Sequence, residues 1–326
     1  MTNDLAHNST LEITRADATV GLPALVAVAG PAARYAWEEF FQAGIRNPHT
    51  RRAYTHAVRR FLAWAESQGH ELVRLTPGQV GGYLDGLPGT IPTKKQHLAA
   101  LRGFFDALVL RHVVFLNPAL SVRAERYTVV EGKTPEITIE HARTLLASIN
   151  TGHVVGLRDR AVIAVLIYTA ARIGAVAGLK RGSLSHDGSQ WTLRFHEKGG
   201  KSREIPLRHD LQGMVLAYLD TAGLTGAGKE TPLFPSAIGR TKQLAATQAT
   251  AGDLGRMVKR RMKDAGLPER LSPHSFRVTA ITDLLNQGVP LEDVQHLAGH
   301  SDARTTRLYD RRQKVVTRNV VERISV

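Results

Sequence analysis

Apolar side chains recur at helical spacing through the first third of the chain. Tyr54, Val58 and Phe61 fall on one face of a segment that begins at Asn47 and Pro48. Asparagine is a common helix cap, and proline suits the first turn. The pattern therefore predicts an amphipathic helix that starts at this pair.

More helical signals follow in the same region. Thr76 and Gln79 have the spacing of a capping box, and Leu98 and Phe105 belong to a second apolar stripe. Together these signals predict a cluster of about four helices over residues 34–117.

Periodicity is weak at two places, and these places divide the chain. Residues 1–33 mix turn formers with polar residues, which predicts a flexible N-terminal arm. Residues 118–134 are bounded by prolines and predict a linker. The sequence thus predicts a helical domain over residues 34–117 and a second domain over residues 135–326.

The second domain combines helices with a small sheet. Residues 157–171 are strongly apolar and predict a buried helix, whereas residues 191–196 alternate between apolar and polar side chains, as a half-buried strand does. Gly199 and Gly200 suit a turn, and residues 203–207 resemble the returning strand of a hairpin. The predicted fold class is mainly α with a small β-sheet, an α-helical domain followed by an α+β domain.

Charge narrows the class of partner. The 326 residues carry 43 Lys plus Arg against 29 Asp plus Glu, a formal net charge of +14. Such a field attracts polyanions, among which nucleic acid is common. No stretch has the roughly 20 uncharged apolar residues that a membrane span needs, so no membrane partner is expected. The absence of cysteine excludes disulfides and fits a cytoplasmic protein.

Seven basic side chains lie off the apolar stripes of the helical domain. We expect them to contact nucleic-acid phosphates, although a merely solvated helix face would have the same pattern. The seven are Arg51, Arg52, Arg59, Arg60, Lys94, Lys95 and Arg102.

Two segments of the second domain carry side chains suited to a phosphate. Arg172 ends an apolar run, where its guanidinium needs either an intramolecular ion pair or an external anion. His274 and Arg277 project from one face of the first turns of a helix that Ser272 can cap. An imidazole and a guanidinium at a helix N-terminus suit a phosphate, because the free amides and the helix dipole favour the same charge.

Three further positions are candidates for chemistry. Lys198 lies beside the two glycines at the tip of the predicted hairpin, where it is either carried into a groove or simply solvated. His300 follows Gly299 at a helix end, a position that is often structural. Tyr309 has basic neighbours on both sides, which is unusual for a core aromatic residue and suits a phenol that meets a phosphodiester.

The order of these residues carries a resemblance. With the strings EKGGKSREIPL and SPHSFRVTAITDLLNQGVPLEDVQHLAGHSDARTTRLY, it resembles the catalytic domain of the tyrosine site-specific recombinases, the phage integrase family. The resemblance covers the chain from Pro135 to the C-terminus, and the helical domain looks like the family's core-binding domain. It implies an enzyme that cleaves and rejoins DNA strands with no cofactor, metal or ATP.

The resemblance also implies a role for each residue. Arg172 and Arg277 would clamp the scissile phosphate, with two histidines completing the pocket. Tyr309 would attack to form a 3′-phosphotyrosine, His274 would accept the phenolic proton, and Lys198 would protonate the leaving 5′-oxygen. The implied catalytic set is Arg172, Lys198, His274, Arg277, His300 and Tyr309.

Three positions depart from the family's usual pattern. Ala175 stands where an acidic residue is usual, Val278 where a histidine is usual, and Ala171 where a glycine is usual. The departures change the surroundings of the implied catalytic residues and leave the residues themselves in place.

The partners and the setting are implied by the same resemblance. They are double-stranded DNA and further copies of the chain, as a dimer on a site and a tetramer in synapsis. Integration, excision or resolution of a mobile element in a bacterial cytoplasm is expected, and the need for accessory DNA-binding proteins stays open. The alternatives are a catalytically weak DNA-binding regulator, a type IB-like topoisomerase and a metal-dependent nuclease.

Overall fold

The computed structural model describes residues 21–127, 134–196 and 202–310. The chain divides into two compact units, Met1–Thr128 and Val129–Val326, and each has a hydrophobic core of its own. The division falls within the segment that was expected to be a linker. Among the helices of the described ranges, none is both long enough and apolar enough to cross a membrane.

The first unit is a cluster of helices. They are α1 (Ala24–Val28), α2 (Pro31–Glu38), α3 (Pro48–Ser67), α4 (Pro77–Gly86) and α5 (Ile91–Leu110), with a π-helical turn over Glu39–Gly44 and a 3-10 turn over Leu72–Arg74. The side chain of Asn47 accepts hydrogen bonds from the amides of His49 and Thr50 at 2.9 and 3.3 Å. Thr76 and Gln79 form the reciprocal capping box that their spacing predicts.

Aromatic side chains fill the core of this unit. Phe61, Phe104 and Phe105 are fully buried, and the ring of Phe104 lies 5.7 Å from that of Trp37 in an edge-on arrangement. These rings bring together α2, α3 and α5, so the apolar stripes predicted along the sequence face one another.

Part of the segment that the sequence predicts to be a flexible arm is helical and packed. α1 and the beginning of α2 lie within residues 1–33, and Val26 and Ala33 are both fully buried in the core of the first unit. Gly30 joins the two helices with a φ of 94°, a conformation that glycine adopts without steric cost. A five-residue helix is too short to show a period, which is why the pattern missed it. Residues 1–20 lie outside the described residues.

The second unit alternates helices with short strands, and the predicted fold class is confirmed. Its helices are α6 (Ile139–Ser148), α7 (Val154–Thr169), α8 (Ile173–Ala177), α9 (His209–Thr221), α10 (Ala251–Asp264), α11 (Pro273–Asn286), α12 (Leu291–Ala298) and α13 (Ala303–Arg307). Its strands are β1 (Leu184–His186), β2 (Trp191–His196), β3 (Ser202–Pro206), β4 (Pro235–Ala237) and β5 (Leu244–Gln248).

The strands form two small antiparallel sheets. One has the order β1-β2-β3, with Leu193 opposite Ile205 and Phe195 opposite Arg203, and the other pairs β4 with β5. Leu193 and Phe195 are fully buried, so the predicted alternation places one face of β2 on the core. α7 packs against α9 and α11 and provides the centre of this unit.

A buried ion cluster fastens α7 to α10. The carboxylate of Asp159 is fully buried, and its two oxygens accept from Arg158 at 2.6 Å and from Arg261 at 2.7 Å. Arg158 also donates to the carbonyl of Pro235 at 2.8 Å. One buried carboxylate therefore balances two guanidinium groups from different helices, the buried one of Arg158 and the partly buried one of Arg261.

We expect Asp159→Asn to lower the free energy of unfolding of the second unit by about 3–5 kcal/mol, because it leaves buried guanidinium charge without its counterion. Thermal and denaturant unfolding of the full chain measure the change. Glu204→Gln is the matched control, because Glu204 pairs with Arg194 on the exposed face of the sheet and its loss should cost at most about 1 kcal/mol. Equal effects of the two substitutions would contradict this account.

Candidate active site

The turn from α7 into α8 has a left-handed residue at its centre. Ala170 has φ 50° and ψ 22°, a conformation that costs an L-amino acid about 1–2 kcal/mol. The hydroxyl of Thr169 donates to the carbonyl of Val165 at 2.6 Å and accepts from the amide of Ala171 at 3.3 Å. This strained turn presents Arg172, which is exposed and precedes the first residue of α8.

A buried arginine joins this turn to α11. Arg277 is 1% exposed, and its Nη1 donates to the carbonyl of Ala170 at 2.6 Å. α11 begins at Pro273, where the amide of Ser272 donates to the hydroxyl of Ser275 at 3.1 Å. One turn of α11 thus carries Arg277 inward and the exposed His274 outward.

His300 and Tyr309 meet after α12. Gly299 ends that helix with φ 63°, and the imidazole of His300 is buried with its Nδ1 2.9 Å from the hydroxyl of Thr306. The rings of His300 and Tyr309 are stacked, with centroids 5.9 Å apart and planes 10° from parallel. The phenol therefore lies against an imidazole that is already fixed by α13.

Positive charge surrounds the two histidines. Burial, and then the charges of Arg277, Arg172, His274 and Arg203, lower the pKa of His300 from its ordinary 6.5 to about 4. Burial, Arg277 and Arg172 also lower the pKa of His274. Both imidazoles are consequently neutral near pH 7, in a region whose charge favours an anion.

We expect the imidazole of His300 to stay neutral down to about pH 4 in the free protein. Unfolding exposes an imidazole of ordinary pKa, so the unfolded chain binds the extra proton between about pH 4 and 6.5 and stability falls as the pH falls through that window. An NMR titration of the histidines measures the pKa of His300, and His300→Gln identifies its signal. A midpoint near 6.5 would contradict this picture, whereas bound inorganic phosphate should raise the midpoint.

Lys198 lies outside the described residues, and so does the turn that the sequence predicts around it. The strands on either side, β2 and β3, are described and pair antiparallel with each other. The segment 311–326 that follows Tyr309 and Asp310 also lies outside the described residues.

The comparisons with known proteins bear on this arrangement. Residues 136–315 match the model of the phage integrase family, and residues 37–112 match that of the phage integrase N-terminal SAM-like domain. The first match covers more than half of the chain. The chain belongs to the phage integrase family. It is a tyrosine recombinase, an enzyme that cleaves and rejoins DNA in site-specific recombination.

The relatives of this recombinase are Xer-like. The tyrosine recombinase XerC of Pelobacter propionicus is 28% identical over 274 residues, which cover 81% of this chain and 84% of the relative. The tyrosine recombinase XerD of Pseudomonas putida is 32% identical over 252 residues, which cover 76% and 74%.

Solved structures have the same fold. The XerH site-specific recombinase bound to a palindromic difH substrate has a TM-score of 0.63 at 20% identity, covering 81% of this chain and 77% of that one. A dimer of a lambda integrase fragment bound to a COC′ core site has a TM-score of 0.63 at 19% identity, covering 87% and 96%.

Two of the three positions that depart from the family's pattern, Ala175 and Val278, lie close in sequence to the arginines of the candidate site. Ala175 is partly buried against the core of the second unit, and Val278 is 4% exposed on α11. Both side chains are apolar, so neither position supplies a carboxylate or an imidazole to Arg172 or Arg277.

Three of the seven basic residues that the sequence predicts to contact DNA make hydrogen bonds within the first unit. Arg51, Arg59 and Arg102 donate to backbone carbonyls, and Arg59 also lies 5.2 Å from the ring of Trp37. Their acceptors are the carbonyls of Ile45, Gly21 and Val122, at 2.7, 2.8 and 2.6 Å respectively. Burial lowers the pKa of Arg59. Sequence spacing alone did not distinguish these residues from solvated ones.

The other four basic residues remain open to solvent to different degrees. Arg52 and Arg60 are exposed on α3. Lys94 and Lys95 are half-exposed near the beginning of α5, and Lys94 donates to the carbonyl of Asp85 at 3.2 Å. Arg52 and Arg60 are therefore the members of the set most available to a phosphate backbone.

Sequence reasoning missed two basic features of the second unit. Arg203 is buried on β3 and adds charge around His300. A cleft of about 570 Å³ between α10 and the turn joining β4 to β5 is lined by Arg240, Lys242, Arg256 and Arg260. Arg240 and Lys242 come from the β4–β5 turn and Arg256 and Arg260 from α10, so no single run of sequence predicts the cleft.

Proposed function

We propose that the recombinase cleaves one DNA strand with the hydroxyl of Tyr309. The oxygen of Tyr309 forms a bond to the scissile phosphorus, the bond from phosphorus to the 5′-oxygen breaks, and a 3′-phosphotyrosyl intermediate results. The reverse attack by a 5′-hydroxyl of the partner strand restores the phosphodiester and frees Tyr309.

One observation carries this proposal. Tyr309 stacks on a neutral His300 whose pKa is lowered first by burial and then by the charges of Arg277, Arg172 and His274. A dianionic transition state at phosphorus needs preorganised positive donors, and guanidinium groups offer two parallel donors to a pair of phosphate oxygens. The charges that act on His300 thus include the two arginines and the second imidazole that phosphoryl transfer from a phenol would use.

The proposed reaction needs one group that accepts the phenolic proton and one that protonates the leaving oxygen. A phenol ordinarily has a pKa of about 10, so Tyr309 needs an acceptor as it attacks. The lowered pKa of His274 keeps its imidazole neutral and able to take that proton. Lys198 would give a proton to the departing 5′-oxygen, as the family resemblance implies.

No energy source is needed for this reaction. The covalent intermediate retains the free energy of the phosphodiester, because a phosphate ester of tyrosine replaces one of deoxyribose. The arginine pair supplies the charge stabilisation that a divalent metal supplies in other phosphoryl-transfer enzymes. We therefore propose that strand cleavage and joining require neither ATP nor metal, and that EDTA leaves them unchanged.

We propose double-stranded DNA and further copies of the chain as the partners. Lambda integrase has been seen as a tetramer bound to a Holliday junction, and it has a TM-score of 0.61 with this chain at 18% identity. A dimer on each site and a tetramer of two sites would exchange strands in pairs. The proposed setting is integration, excision or resolution of a mobile element in a bacterial cytoplasm.

Covalent capture tests the proposed function. Wild type and Tyr309→Phe are incubated with a randomised duplex library and with bacterial genomic DNA, protein is denatured, and DNA attached to protein is sequenced at its linked ends. We expect attached 3′ ends at recurring sites with wild type and none with Tyr309→Phe, with or without EDTA. Plasmids that carry two copies of a recovered site then test for exchange.

Each alternative gives a different result in this assay. A topoisomerase gives adducts without preferred sites or exchange, and a metal-dependent nuclease gives EDTA-sensitive ends that carry no protein. Salt-sensitive DNA binding without any adduct would identify a DNA-binding regulator and overturn the proposal. Recurring sites inside a mobile element would support the proposed setting, and a single chromosomal site would overturn it.

We expect Arg52→Ala and Arg60→Ala to weaken binding to all sequences and to reduce the slope of log affinity against log salt by about 1 each. Each side chain is exposed on α3 and free to neutralise a phosphate charge. Titration of the recovered site at several salt concentrations measures both effects. The control is Arg74→Ala, whose exposed guanidinium pairs with Glu71, and an equal effect from it would argue against a specific contact by α3.

A further inference from the structure

An arginine occupies a core-facing position of β3. Ser202 and Glu204 are exposed, whereas Arg203 is 5% exposed and Ile205 lies on the same buried face. Side chains at every second position of a strand share a face, so Arg203 takes a place where an aliphatic side chain would be expected. The burial of a guanidinium calls for compensating contacts.

The contacts of Arg203 lead to the end of α7. Its guanidinium lies 5.3 Å from the ring of Phe195, the residue opposite it on β2. Its Nη1 points to the carbonyl of Thr169 at 3.5 Å, the last residue of α7. A cation at a helix C-terminus is favoured by the partial negative charge of the terminal carbonyls.

The next carbonyl along the chain accepts a hydrogen bond from another buried arginine, Arg277. Arg277 donates to Ala170 at 2.6 Å, so guanidinium groups from β3 and α11 meet consecutive carbonyls of one turn. Ala170 is the left-handed residue of that turn, and Arg172 follows two residues later. A strained backbone persists only where its surroundings determine it, and here two arginines contribute to that.

We propose that Arg203 is a positioning residue for strand cleavage, which holds the turn Thr169–Ala171 so that Arg172 meets the scissile phosphate in a fixed geometry. Arg203 acts on the reacting phosphate indirectly, by holding the turn that carries Arg172, and it does not need to contact the phosphate itself. The charge of Arg203 is also among those that lower the pKa of His300, so its guanidinium lies within the electrostatic reach of the site. This inference rests on the proposed cleavage by Tyr309.

The test uses single-turnover cleavage of a recovered target site by the full-length protein. We expect Arg203→Met to slow cleavage about 10- to 100-fold with little change in the Kd for uncleaved DNA, because misplacement of a catalytic group by about 1 Å has costs of this size. Arg203→Lys should fall between, since it keeps the charge and loses the planar fork. Arg194→Met, on the exposed face of the neighbouring strand, is the matched control.

A double-mutant cycle separates positioning from general support of the fold. If Arg203 acts through Arg172, Arg203→Lys should add less than about 2-fold to the loss caused by Arg172→Lys, whereas independent effects would multiply. Thermal unfolding is measured alongside, and if Arg203→Met does not fold, the Lys variant carries the cycle. Multiplying effects, or cleavage by both Arg203 variants at the wild-type rate, would overturn this inference and leave the proposed function intact. Failure of wild type to form any adduct would overturn the proposed function itself.

Discussion

Tyr309→Phe is expected to abolish covalent attachment and strand exchange, a loss of at least about 10³-fold, because phenylalanine has no hydroxyl to attack the phosphorus. The substitution removes one hydroxyl and keeps the ring that stacks on His300 at 5.9 Å. The fold and the affinity for DNA should therefore remain. Cleavage of a recovered target site, with Kd measured in parallel, gives the result.

The control for this prediction is Tyr35→Phe, which removes an exposed hydroxyl from the first unit and leaves the stacking of Arg111 on that ring. It should cleave as wild type does. Persistent adduct formation by Tyr309→Phe would mean that another side chain is the nucleophile. A parallel loss of DNA binding would mean that the phenol has a binding role instead.

Arg277→Lys is the second substitution with a large expected effect. We expect cleavage to fall about 10²- to 10³-fold, the usual cost of removing one preorganised donor from a developing oxyanion. Lysine keeps the positive charge but cannot donate to a phosphate in a fork while also donating to the carbonyl of Ala170, as Arg277 does at 2.6 Å. Single-turnover rates with Tyr309 intact measure the loss.

Two measurements distinguish a loss of the catalytic donor from a loss of the fold. The unfolding temperature shows whether the variant keeps its fold, since Arg277 is 1% exposed and a poor replacement there costs stability. Arg270→Lys, an exposed residue in the loop before α11, should cleave at the wild-type rate. A fully active, folded Arg277→Lys variant would show that the guanidinium group of Arg277 is not needed to stabilise the transition state.

Local signals were enough to predict much of the fold. The start of α3 follows from the cap at Asn47, and α4 from the box formed by Thr76 and Gln79, because these contacts lie within one turn of chain. The β2–β3 hairpin follows from alternation around two glycines. α9 was not predicted, although Leu211, Val215 and Leu219 have helical spacing and are buried.

The sequence did not predict which basic side chains are buried, because that depends on the residues each one contacts in the folded chain. Arg59 and Arg60 are neighbours on α3, yet one donates to Gly21 inside the unit and the other is exposed, because successive residues on a helix point about 100° apart. Arg203 reads as an ordinary strand residue until the approach of β3 to the end of α7 is known. In both cases, the difference between Arg59 and Arg60 and the burial of Arg203, the outcome is set by tertiary contacts that a local sequence pattern does not encode.

The candidate site shows the same division. The order of Arg172, His274, Arg277, His300 and Tyr309 predicted the site through the family resemblance, and all five lie in described segments of one unit. The left-handed turn at Ala170 and its hold by Arg277 could not be predicted, because alanine has no local preference for that conformation.

The most direct test of the central claim is mass spectrometry of the captured wild-type adduct after digestion of both protein and DNA. We expect a single peptide, the one that contains Tyr309, with a nucleotide joined through its 3′-phosphate to the tyrosine oxygen. A nucleotide on any other residue, or a linkage through a 5′-phosphate, would contradict it.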